Sequence, residues 1–172
     1  MTIQDVTVYY LEMHAHTQRT VSPPRGKLEV IRAHNCTLGY YRFLYDSVGR
    51  QYNWRSRMKL SDAELGAILN DPGVEVHAFF VDGVPCGFAE FDRHIVNEVE
   101  LKQFGLMKEF IGQGLGKYFL QATIDLAWSY HPQRFWLHTC TVDHHAALPN
   151  YLKSGFKLYK EEAIQTDVVI PA

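Results

Sequence analysis

Phe110-Ile111-Gly112-Gln113-Gly114-Leu115-Gly116 and, further on, Ala146-Ala147-Leu148-Pro149-Asn150-Tyr151-Leu152-Lys153-Ser154-Gly155-Phe156 are the two stretches that decide how this chain folds. The first sets three glycines ahead of an amphipathic run in which Leu115, Phe119, Ala122 and Leu126 recur at helical spacing. It predicts a glycine turn opening a helix from Gly112 to Ser129, closed by His131-Pro132, because the residue before a proline is pushed out of the helical region. The first N–H groups of a helix have no partner within it, and the helix dipole makes that end positive, so such a start favours a phosphate. Glycines let backbone approach it without a Cβ in the way. The second stretch predicts a short helix from Ala146 to Ser154, with Pro149 in its first turn and Gly155 closing it in the left-handed conformation.

Outward from these, Phe135 to Val142 is apolar on both parities apart from His138 and the threonines, which predicts a strand covered on both faces. Val96 to Leu106 reads as the strand before the glycine turn. Val74 to Val81 and Val84 to Asp92 flank Asp82-Gly83, a pair that tolerates the positive φ of a two-residue hairpin. Ser61 and Glu64 have capping-box spacing ahead of Leu65, Ile68 and Leu69, and Asn70-Asp71-Pro72-Gly73 stops that helix. Tyr41, Leu44, Tyr45 and Val48 give a helical face within Leu38 to Val48. Val6 to Glu12, Leu28 to Ala33, Phe156 to Lys160 and Asp167 to Ile170 complete the strands. This order predicts an α+β (mixed α/β) fold in which a central, mostly antiparallel and partly parallel sheet is flanked by helices. Only the strand–helix–strand from Val99 to Val142 needs parallel pairing. The 172 residues fit one domain, 1–172.

Composition narrows the function. A net charge of −2 with no Lys/Arg block disfavours nucleic acid as a partner. No apolar run approaches the roughly 20 residues that span a bilayer, and the first ten residues lack a basic, apolar leader, so a cytoplasmic protein without a membrane partner is expected. Cys36, Cys86 and Cys140 are odd in number and widely spaced, which reads as reduced thiols. His14-x-His16 and Asp143-His144-His145 are the metal-ligand candidates, but no third ligand is fixed by local spacing and no metal is expected. The glycine turn is not a P-loop, since Ile111 and Tyr118 fill that motif's first glycine and its hydroxyl position. Nor is it a dinucleotide fingerprint, since Gln133-Arg134-Phe135 stands where the acidic residue belongs.

Leu106 to Gly116 and Ala146 to Phe156 together resemble the acyl-CoA-binding core of the GNAT superfamily of N-acetyltransferases. That family's turn is written Arg/Gln-x-x-Gly-x-Gly/Ala, and its late helix typically ends Tyr-x-x-x-Gly-Phe. The resemblance implies acetyl-CoA as co-substrate, held at its pyrophosphate by the backbone of Gly112, Gln113, Gly114, Leu115 and Gly116 and at its pantetheine arm by the backbone of Leu106. It implies that Tyr151 protonates the leaving thiolate and that Glu100 is the general base; by their own positions, Glu98 and Glu90 are substitutes for the base if Glu100 faces the wrong way. Two positions depart from the pattern: Ile111 occupies the Arg/Gln site, throwing the pyrophosphate more onto backbone amides, and His144 stands where the family commonly has an asparagine that meets the cofactor. Homodimers are common in that family.

The chemistry suits these residues. An amine with a pKa of about 10.4 is mostly protonated at neutral pH, so a base or water chain must take its proton before it attacks a thioester. Backbone N–H groups near Leu106, where strands splay, are placed to stabilise charge on the carbonyl oxygen. A GNAT-type transferase acting on a small-molecule, peptide or protein amine by direct attack in a ternary complex is therefore expected, the alternative being a non-catalytic acyl-CoA-binding sensor or interaction module. Tyr52 to Arg57, aromatic and basic, reads either as part of the acceptor site or as a surface turn around a packed Trp54.

Overall fold

The structure, a computed structural model, describes residues 2–168. Seven strands form one sheet in the order β2-β3-β4-β5-β6-β1-β7: β1 Thr2–Met13, β2 Leu28–Arg32, β3 Val74–Val81, β4 Val84–Asp92, β5 Glu98–Leu106, β6 Arg134–Cys140 and β7 Lys157–Val168. Every neighbouring pair is antiparallel except β5 and β6. The helices are α1 Leu38–Gly49, α2 Asp62–Leu69, α3 Leu115–Trp128 and α4 Ala147–Lys153. This is the mixed α+β architecture that the sequence predicts. Val169 and Ile170, the end of the last expected strand, lie outside the described residues. The segments read as two closing strands are one continuous β7, paired along β1 from Thr2 to Glu12.

Local chemistry sets the element ends. Ser61 and Glu64 form the reciprocal capping box at the start of α2. Asp82 and Gly83 both take positive φ, 51° and 81°, in the β3–β4 turn. Pro149 falls in the first turn of α4, and Gly155 at φ 102° follows its end. The glycine-turn helix begins at Leu115 rather than Gly112, after a 3-10 turn at Lys108–Phe110.

Two apolar layers sandwich the sheet. On one face α3 and α4 bury Leu115, Phe119, Ile124 and Tyr151 against Leu11, Phe79, Phe91, Leu101, Phe135 and Leu137, with Phe79 and Phe119 stacked at 4.5 Å. On the other, α1 and α2 bury Tyr41, Leu44, Tyr45, Leu65 and Leu69 against Val76, Ala78 and Phe88. β6 is covered on one face only: Phe135, Leu137 and Thr139 are buried, whereas Trp136 and Cys140 are half-buried and His138 is exposed. Its second face is apolar in sequence because it looks into a cleft, not because a helix packs on it. No helix among the described residues is long and apolar enough to cross a membrane.

Candidate active site

A cleft of about 1050 Å³ opens where β5 and β6 part. The two strands pair from Glu98↔Arg134 to Leu101↔Leu137 and no further, although β5 runs on to Leu106 and β6 to Cys140. A bulge marks the parting. Phe91 pairs with Leu101 and Glu90 with Gln103, so Lys102 is the extra residue. The shifted parity turns Phe104 and Leu106 toward α3 and leaves Gly105 beneath α1, where a Cβ would meet Val48 and Trp54. Beyond Leu101 the backbone of β5 keeps β4 on one side and, among the described residues, no strand on the other, so an extended ligand carrying amides can pair with it.

The glycine turn closes one end of this gap. Gly112 and Gly114 have φ 82° and 80°, a region that L side chains rarely adopt, while a Cβ at Gly112 would meet nothing, so conformation and not space demands glycine there. Gly114 is the N-cap of α3 and no side chain caps it, so the N–H groups of the first turn keep their capacity for an anion. Ile111, Gly112, Gly114, Gly116 and Lys117 line the cleft, as does Leu106. Gln113 and Leu115 do not: the Gln113 side chain donates to the Glu109 carbonyl at 3.0 Å, and Leu115 is buried in the core. These unpaired amides and the free strand edge fit a ligand with a diphosphate at one end and amides along its arm.

Tyr151 lines the opposite wall, packed edge-on against Phe104 (6.3 Å) and Phe156 (5.9 Å). Burial, with Asp143 adding to it, pushes its pKa above the usual 10, so it is a neutral phenol at physiological pH. His144 also lines the cleft, stacked on His145 at 4.3 Å, and its Nδ1 accepts from the Ala146 N–H at 3.1 Å just ahead of α4. Glu100 sits one layer back. It is buried, it lies 3.3 Å from the Lys102 ammonium, and its burial raises its pKa against the pull of Lys102. The two substitutes are engaged elsewhere: Glu90 accepts from both Tyr41 and Arg57, and Glu98 lies 3.3 Å from Arg134.

The remaining wall comes from the connection between α1 and α2. Tyr52, Trp54, Arg55 and Ser56 line the cleft, so this segment both packs and faces the site. Trp54 Nε1 donates to Asp143 Oδ1 at 3.0 Å, while Asp143 Oδ2 accepts from Thr139 Oγ1 at 2.6 Å and the Cys140 N–H at 3.0 Å. One carboxylate thus ties the α1–α2 connection to the end of β6. Asp143→Ala leaves three donors without their acceptor and should lower stability by about 1–3 kcal/mol, read as a drop in the urea midpoint; an unchanged midpoint means that water replaces the carboxylate at no cost.

In the sequence His138 stands out only as a polar break in an apolar strand. The structure places it in the cleft, past the last β5–β6 pair. The signal was present, since it interrupts an otherwise apolar parity of β6, but periodicity does not say which face opens onto a site. Among the described residues no three His, Cys, Asp or Glu side chains gather to hold a metal. His14 and His16 turn to different carboxylates, Glu12 at 3.1 Å and Asp125 at 2.7 Å.

Residues 41–156 match the model of the acetyltransferase (GNAT) family. Among solved structures, a functionally unknown conserved protein of Staphylococcus epidermidis aligns over 94% of this chain and 61% of its own, with 14% identity and a TM-score of 0.66. An aminoglycoside acetyltransferase from an uncultured soil metagenomic sample, in complex with trehalose, aligns over 84% of this chain and 97% of its own, at 14% identity and TM-score 0.62. A tandem GNAT protein from the clavulanic acid biosynthesis pathway aligns over 100% of this chain and 55% of its own, again at 14% identity, with TM-score 0.65. The chain therefore spans less than two thirds of the first and third of these proteins. At such identities the likeness shows a shared fold. No match is found among curated proteins.

Proposed function

The chain belongs to the GNAT acetyltransferase family, and from that premise we propose that it transfers an acetyl group from acetyl-CoA to a primary amine by direct attack in a ternary complex. The observation that carries this reading is the parting of β5 from β6 after Leu101 and Leu137, beside an uncapped helix start at Gly114. Those two features provide a channel with a free strand edge and an anion site at its end. Acetyl-CoA supplies an activated thioester carbonyl.

The chain's own groups do the rest. The N–H groups from Gly112 to Gly116 hold the diphosphate, and the free edge of β5 around Leu106 holds the pantetheine amides. Backbone N–H groups on the same edge stabilise charge on the carbonyl oxygen. The Tyr151 phenol donates to the departing sulfur, whose parent pKa of about 8.5 makes it a good leaving group. Glu100, with its raised pKa, draws the amine's proton; because Lys102 and burial separate it from the cleft, it works through an intervening group. The acceptor lies against Tyr52, Trp54 and the open face of β6. Three unpaired cysteines agree with a cytoplasmic setting.

Calorimetry with acetyl-CoA, followed by thiol release across an amine panel, tests the proposal. Binding with Kd below about 1 mM, about −4 kcal/mol, and release of coenzyme A with at least one amine are expected. Absence of binding at millimolar ligand sinks the donor half; binding without release from any acceptor leaves a sensor instead of a transferase.

A further inference from the structure

His138 is the first residue of β6 beyond the last β5–β6 pair, so its Cα stands where the gap begins. It is on the same face of the sheet as Glu100, whose strand partner is Trp136, two residues back. The ring lies against Tyr10, paired with it across β1 and β6, at 5.8 Å and 48°. It opens into the cleft on the side walled by Tyr52 and Trp54, where the acceptor belongs. Three other candidate bases there are engaged: both Asp143 oxygens accept hydrogen bonds, His144 Nδ1 accepts from Ala146, and Glu100 sits under Lys102.

Resting on the acyl-transfer reading, the geometry points to His138 as the catalytic residue that meets the acceptor amine and takes its proton, with Glu100 behind it as a positioning residue. Four ionisable neighbours act on the imidazole: Glu100 and Lys102 from β5, Asp143 from the loop after β6, and Tyr10 from β1. Although the ring keeps an exposed edge, desolvation by the surrounding cleft holds its pKa below the usual 6.5; Glu100 and Asp143 oppose this and Lys102 adds to it. The imidazole is therefore neutral at pH 7 and has a free lone pair. In the balanced reaction the ammonium nitrogen gives up two protons as the C–N bond forms and the C–S bond breaks. One replaces the acyl group on sulfur, delivered by Tyr151 and returned to it; the other passes from His138 to solvent at the mouth of the cleft.

The test joins ring titration to kinetics. In the wild-type protein, the histidine NMR resonance assigned by its loss in His138→Gln should titrate below pH 6.5, and the acid limb of kcat/KM should follow the same value. Glu100→Gln should move both to lower pH, because the lost carboxylate no longer favours the imidazolium. His138→Gln should lower kcat/KM by roughly 10²–10⁴-fold and abolish the limb, while calorimetric affinity for acetyl-CoA stays within about twofold; added imidazole should restore part of the rate in His138→Ala. A limb that persists in His138→Gln, or a wild-type resonance that titrates apart from the limb, overturns the assignment, and the second readout needs no variant beyond the one used for assignment; His138→Asn serves that purpose if His138→Gln does not fold. A wild-type protein that binds acetyl-CoA but acetylates no amine overturns the acyl-transfer reading and this role with it, whereas turnover surviving in His138→Gln overturns the role alone.

Discussion

Glu75→Ala should destabilise the fold by about 3–5 kcal/mol, the usual cost of removing one member of a buried charged cluster. The Glu75 carboxylate has no exposed surface and is the hub of four partners: His77 Nε2 at 2.9 Å, Arg93 at 2.6 Å, Arg32 at 3.4 Å and the Tyr130 hydroxyl at 2.8 Å. Burial alone would raise its pKa, but hydrogen bonds from His77, Tyr130 and Arg93, with the charge of Arg32, outweigh burial and hold it at about 2 instead of 4.5. A folded-state pKa below the unfolded one stabilises the fold above the unfolded value, and that contribution fades as pH falls from about 4.5 to about 2. It amounts to roughly 3 kcal/mol. Urea midpoints should therefore fall steeply between pH 5 and pH 2 in the wild-type protein and much less in Glu75→Gln, which keeps the shape and loses the charge. Equal acid sensitivity in both proteins would assign the acid transition to other carboxylates. The cluster ties β2 and β3 to Tyr130, just past the C-terminal end of α3, the opposite end from the glycine turn. Glu75→Ala should thus cost stability while leaving acetyl-CoA affinity at low temperature nearly unchanged.

Glu75 also illustrates what the sequence conceals. Alternation along Val74 to Val81 announces a strand, and Asp82-Gly83 announces its turn, because both signals are local. That Arg32, Arg93 and Tyr130 converge on one carboxylate depends on register across β2, β3 and β4, which spacing does not encode. The same holds in the site. The glycine turn and the Tyr151 helix are legible because each depends on neighbours within a few residues, through backbone conformation and end-capping. The helix face read as Leu115, Phe119, Ala122 and Leu126 is offset from the buried stripe, which takes in Leu115, Phe119, Leu120, Thr123, Ile124 and Ala127. The cause is that Gln121 and Thr123, polar in sequence, are buried with their side chains donating to the Thr17 and Phe119 carbonyls at 3.0 and 2.7 Å, which a hydrophobic pattern does not foresee. The bulge at Lys102 is invisible in sequence, yet it falls where the cleft begins, with Glu100 still paired behind that point and His138 just past the last pair. A one-residue insertion in a strand reverses the parity of everything after it, so parity counted from Glu98 holds to Lys102, 3.3 Å from Glu100, and fails beyond it.

Tyr151→Phe should lower kcat by about 10²-fold, near the lower end for loss of a positioned proton donor, because a thiolate of parent pKa about 8.5 departs readily even without help. The ring makes its contacts with Phe104 and Phe156 through carbon, so phenylalanine fills the same space and stability should change by less than about 1 kcal/mol. Calorimetric affinity for acetyl-CoA should hold, and kcat and kcat/KM should fall together, the signature of an interaction made only in the transition state. Loss of affinity in proportion to rate would make the hydroxyl a binding group for the thioester; an unaltered rate would make the residue packing alone. The pH profile adds an independent check. Since burial lifts the phenol above 10, it stays protonated throughout the working range and imposes no alkaline limb there. Any fall in rate between pH 8 and 10 must then come from another group and must persist in Tyr151→Phe; its disappearance in that variant would show that the phenol ionises far more easily than its burial among Phe104, Phe156 and Asp143 allows.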